Sequence, residues 1–67
     1  MQKTIPAVIY PGEKFYIAEC VGFPIVTQGK TLDETVANLK EAVALYLEGE
    51  DVDELGLAPD PVIYIDI

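Results

Sequence analysis

The side chains able to do chemistry in this 67-residue chain are mostly carboxylates: 12 Asp plus Glu against 4 Lys, one Cys and no His. Their densest run is Glu48, Glu50, Asp51, Asp53 and Glu54. Carboxylates at alternate positions suggest a calcium loop. The EF-hand form needs oxygen ligands in its first, third and fifth places, Gly in its sixth and Glu in its twelfth. Counted from Asp51, the third place is Asp53 and the sixth is Gly56, but the fifth is Leu55 and the twelfth Val62. The pattern fails twice. The run reads as a solvated acidic turn, with Glu50, Asp51, Asp53 and Glu54 able to steer a basic partner into contact.

Other chemistry is thinner still. Without His there is no imidazole base, triad or metal ligand. Cys20 sits beside Glu19 with no base to lower its pKa, so it reads as a small hydrophobe in the core or against a partner. A single Cys forms neither an internal disulfide nor a Cys-based zinc site. Gly22, Gly29, Gly49 and Gly56 are isolated, and no phosphate-cradling glycine motif is present. The expectation is a chain that is not an enzyme and has no catalytic residues, no metal site and no cofactor. An acidic metal- or small-ligand-binding domain is the alternative class. The formal charge of −8 argues against direct nucleic-acid binding, because phosphate contacts need clustered Lys and Arg.

The elements that position these residues read as strand, strand, strand, helix, strand. Thr4–Tyr10 is rich in Ile, Val and Tyr and reads as a strand whose Pro6 must have its N side free of a ladder. Pro11-Gly12-Glu13 is a turn. Lys14–Cys20 is the second strand and Ile25–Gln28 the third, ended by a turn at Gly29. Thr31-Leu32-Asp33-Glu34 matches a helix capping box, with Thr31 and Glu34 exchanging hydrogen bonds. Leu32, Val36, Leu39, Val43 and Tyr46 form one helical stripe, and Gly49 stops the helix. Leu45 falls on the opposite face. Ala58–Pro61 reads as a loop and Val62–Ile67 as a fourth strand.

The predicted fold class is α+β: a mainly antiparallel four-stranded sheet, order 3-2-1-4, with one helix on one face. Residues 1–67 form a single domain. One helix covers one sheet face only, yet the strands carry apolar residues on both. A domain this small buries only about 60% of the surface its unfolded chain exposes. Both points predict a homodimer or higher homo-oligomer. Tyr16, Cys20, Leu45, Val62 and Tyr64 are the expected contact residues. The longest apolar run, Ala42–Leu47, is far short of the ~20 residues of a membrane-spanning helix. No export signal is visible, which predicts a cytoplasmic protein.

Three segments carry a family resemblance. Tyr16-Ile17-Ala18-Glu19 runs into the turn Gly22-Phe23-Pro24. Val26-Thr27-Gln28-Gly29-Lys30-Thr31-Leu32-Asp33-Glu34 looks like a T-x-G-x-T-x-x-E signature joining strand to helix. Glu41-Ala42-Val43-Ala44-Leu45-Tyr46-Leu47-Glu48-Gly49 looks like the matching helix end. In this order they resemble the HicB antitoxin family, the small partners in HicA/HicB toxin–antitoxin pairs, which have a partial ribonuclease H-like fold. The resemblance implies a non-catalytic module that covers the active site of a small basic, messenger-RNA-cleaving, HicA-like toxin. An orphan homo-oligomer without a toxin is the alternative within this reading. Many members carry a C-terminal DNA-binding domain; none is expected here, and promoter binding is not carried over. The metal-binding carboxylates of ribonuclease H enzymes have no counterpart on Thr4–Tyr10, so nuclease activity is not expected. The Thr27–Glu34 signature reads as structural, a turn at Gly29 and a cap at Thr31 and Glu34, with Gly49 closing the helix.

Overall fold

The computed structural model describes residues 1–67. Strand β1 spans Gln2–Pro11, β2 Tyr16–Cys20 and β3 Val26–Gly29. Helix α1 spans Leu32–Glu48, and β4 spans Leu57–Asp66. The sheet order is β3-β2-β1-β4. The β1–β2 and β2–β3 pairs are antiparallel and the β1–β4 pair is parallel. The architecture is the expected α+β one. The long axis of 36 Å is set by the ten-residue strands β1 and β4, at about 3.3 Å per residue.

The hairpin turn closes through the Gly12 N–H, which donates to the Phe15 carbonyl at 2.8 Å. Glu13 and Lys14 are thereby the central residues of the turn, and β2 starts at Tyr16, two residues later than expected. Pro6 lies within a central strand, but the β2 ladder begins only at the next residue, Ala7↔Cys20. The Pro6 carbonyl accepts from the Val21 N–H at 2.8 Å, on the side where β2 has ended. A residue with an N–H at position 6 would return a bond to Val21, so the proline ends the β1–β2 ladder one step beyond Ala7↔Cys20.

Alternation sorts the strand residues onto two faces. Ile5, Ala7 and Ile9 of β1 and Ala18 and Cys20 of β2 point to the side of the sheet that carries α1 and join Ile25, Leu39, Val43 and Leu57 in the core. The helix packs over β3 and β2 rather than over β1 and β4. The Phe23 and Tyr46 rings meet in a T-shaped arrangement, with centroids 6.3 Å apart and planes at 72°, a favoured aromatic geometry.

Two expectations need correcting. Ala58–Pro61 is not a loop: β4 begins at Leu57, and the irregularity is absorbed inside the strand. Asp60 has a left-handed φ of 55°, and the β1–β4 register shifts between Gln2 and Thr4. The prolines are tolerated because β4 is an edge strand. The helix cap is one-sided. The Glu34 N–H donates to Thr31 Oγ1 at 3.0 Å, but the only side-chain bond at this end besides it is Thr35 Oγ1 to the Thr31 carbonyl, at 2.7 Å. Glu34 stays exposed at the positive end of the helix dipole.

Candidate functional site

The sheet face away from α1 is built by the other parity of each strand. Thr4, Pro6, Val8 and Tyr10 of β1 lie beside Val62, Tyr64 and Asp66 of β4, through Thr4↔Val62, Pro6↔Tyr64 and Val8↔Asp66. On their other side lie Glu19 and Ile17 of β2, through Val8↔Glu19 and Tyr10↔Ile17. Val26 and Gln28 of β3 follow, through Glu19↔Val26 and Ile17↔Gln28. No element of the chain covers this face. Val26, Val62 and Tyr64 are each about two-thirds exposed, and Tyr10 is 40% exposed. An apolar band thus crosses the sheet from Val62 to Val26, with Glu19, Asp66 and Gln28 set into it. Contiguous exposed apolar surface of this kind marks interaction sites.

The contact residues expected from sequence divide between three places. Val62 and Tyr64 lie on this open face. Leu45 is exposed on the outward side of α1, beside a shallow depression that Thr27 and Asn38 also line. Tyr16 and Cys20 lie beneath the helix instead: Cys20 is in the core and Tyr16 packs against it. The hairpin register explains this. It pairs Ala7 with Cys20, so even-numbered residues of β2 share the covered face with odd-numbered residues of β1. Ile17, Val8, Tyr10 and Val26 take the outward places. The signal for them was the strand alternation combined with the length of the Pro11–Phe15 turn. Burial raises the Cys20 thiol pKa above its ordinary value by desolvation, so the thiol stays protonated and unreactive near neutrality.

The acidic segment forms consecutive turns at the end of the molecule where α1 stops. Asp51 Oδ1 accepts from the Asp53 N–H at 3.0 Å. The Leu55 N–H reaches the Asp51 carbonyl at 3.2 Å and the Gly56 N–H the Asp53 carbonyl at 3.1 Å. The Gln2 N–H donates to the Gly56 carbonyl at 2.8 Å, which ties the turns to the start of β1. Glu48, Glu50, Asp51, Asp53 and Glu54 are all exposed, and no three acidic or thiol side chains of the chain converge as a metal site would require. Lys14 and Lys30 line a depression at the opposite end. The surface depressions reach at most about 240 Å³, less than the ~300 Å³ at which small-molecule sites begin.

Gly29, Thr31, Glu34 and Gly49 hold α1 in place. A Cβ on Gly29 would come within 2.6 Å of Thr35 Oγ1 and 2.7 Å of the Thr35 nitrogen. Its role is close approach of β3 to α1, not the tight turn expected, because its φ is not positive. Thr35 is fully buried and was missed in the apolar stripe because it is polar; its hydroxyl is satisfied by the turn beneath it. Gly49 ends the helix with an ordinary φ of −95°. Comparisons with protein-family models, curated proteins and solved structures returned no match. No helix is long and apolar enough to cross a membrane.

Proposed function

We propose that this chain is a non-catalytic, HicB-like antitoxin module of the cytoplasm, whose partner is a small basic, messenger-RNA-cleaving toxin. The observation that carries the reading is the uncovered apolar sheet face of a chain with a charge of −8. Apolar surface supplies the contact energy. The acidic turns, and Glu19 and Asp66 within the band, supply charge complementarity to a basic ribonuclease, occupying the place of its phosphate substrate. The motifs of the family resemblance support it by position. The signature Thr27–Glu34 bridges the end of β3 and the cap of α1, and the third segment forms the C-terminal half of α1.

The test pairs the purified chain with the small basic ribonuclease-like protein that this reading expects to be encoded beside it. RNA cleavage is followed while the chain is titrated in, and the complex is measured by calorimetry. The expected result is loss of cleavage at near-equal stoichiometry. Val26→Lys with Tyr10→Lys, on the open face, should weaken the inhibition. Undiminished cleavage at excess chain overturns the proposal.

A further inference from the structure

The two edges of the sheet are not equivalent. At one, β3 is four residues long, and Asn38 Nδ2 from α1 donates to its Gln28 carbonyl at 2.8 Å. At the other, β4 runs ten residues and pairs only with β1. Its first half is blunted against further pairing: Pro59 and Pro61 carry no N–H, and Asp60 is left-handed. These obstacles stop at Pro61. The stretch Val62-Ile63-Tyr64-Ile65 is wholly β-branched or aromatic, the composition strands favour. It is also incompletely covered on both sides. Val62 and Tyr64 are exposed on the outer face, and Ile63 and Ile65 are only half-buried on the inner one, because α1 lies over β2 and β3.

We infer that this edge pairs with the same edge of a second copy of the chain, antiparallel, about a two-fold axis at Tyr64. Residues directly opposite each other in an antiparallel pair share a face. With Tyr64 opposite Tyr64, Ile63 of one copy meets Ile65 of the other. The half-covered inner faces then join into one core, with both helices on the same side. Charge favours the antiparallel orientation and disfavours the neighbouring register at Ile63. Each copy carries −8, and antiparallel pairing sends the two acidic turns to opposite ends of the dimer. An axis at Ile63 would set Asp60 against Asp66 twice, a destabilising like-charge pair; an axis at Tyr64 sets Asp66 against Val62. The contact is isologous, the form that closes at two copies. It goes beyond the antitoxin reading and does not depend on it.

Sedimentation equilibrium of the isolated chain tests the inference with no toxin present. The expected result is a dimer that tightens as salt rises, because screening relieves repulsion between like-charged copies. Tyr64→Glu places two carboxylates at the axis and should weaken the dimer by about tenfold or more. Tyr64→Cys tests the register independently. With an added oxidant such as diamide it should give a disulfide-linked dimer, since opposed Cβ atoms lie about 4.5–5.5 Å apart. Val62→Cys, which faces Asp66 of the other copy, should not. The native Cys20 is buried and contributes no background. A monomer at all concentrations, or a dimer indifferent to Tyr64→Glu and cross-linked equally at both positions, overturns the inference.

Discussion

Gly29 shows how much one missing methyl group can decide. β3 can touch α1 only because nothing projects from this residue towards Thr35, whose backbone nitrogen would lie 2.7 Å from a Cβ. A backbone atom cannot rotate away, so Gly29→Ala must push strand and helix apart. The expected loss is roughly 1–3 kcal/mol, read as a lower urea midpoint. Gly49→Ala is the contrast. It has open space around it and a negative φ, so stability should hold or rise slightly. Sequence alone marks both as glycines ending a pattern; only the packed pair separates a contact glycine from a permissive one. Cys20 carries the pH dependence at this scale. Burial raises its folded-state pKa, so the folded chain holds its thiol proton where the unfolded chain has released it. Stability is therefore unaffected below the unfolded pKa of about 8.5 and falls as the pH rises above it towards the folded value. Thiol labelling should be slow at neutral pH and fast in denaturant, and rapid labelling of the folded chain would contradict the burial.

Among the elements, α1 is favourably charged at one end and not at the other. Asp33 and Glu34 occupy the first turn, but no basic residue occupies the last, where Glu48 sits. A carboxylate there opposes the helix dipole, so Glu48→Lys should stabilise the fold by about 0.3–1 kcal/mol, less in high salt. Thermal melts at two salt concentrations would show it. The helix was the most legible element, because a cap residue and a 3.6-residue period agree on it. β4 was legible only in its second half. Two prolines and an aspartate between Leu57 and Val62 read as turn chemistry, and although the expected sheet order already put β4 at an edge, the left-handed Asp60 and the register shift against β1 that absorb them emerge only from the paired strands. The open face was half legible for a similar reason. Val62 and Tyr64 follow from alternation within one strand, whereas the outward place of Ile17 depends on how many residues the hairpin turn consumes.

For the molecule as a whole, charge is distributed along the long axis. The acidic turns gather five carboxylates where α1 stops, whereas at the far end Lys14 and Lys30 offset Glu13 and part of the charge of Asp33 and Glu34. Against a basic partner this should act on the encounter more than on the finished complex. Glu50→Lys with Glu54→Lys should lower the association rate by about tenfold at low salt and leave dissociation nearly unchanged, as stopped-flow binding would report. Asp51 is left in place because its carboxylate closes a turn. Equal effects on both rates would place these residues inside the contact.

The central strand also has two very different neighbours. β1 meets β2 across a short turn, but it meets β4 only after nearly the whole chain has been threaded, since Thr4 pairs with Val62. Closing so long a loop is entropically slow. The hairpin and helix can therefore assemble first, and the parallel ladder forms after the main barrier. In a chevron plot at concentrations where the chain is monomeric, Ile65→Val should speed unfolding and leave the refolding arm in place. Ile9→Val, in the hairpin, should slow refolding. The first strand made would then be the last to acquire both its neighbours.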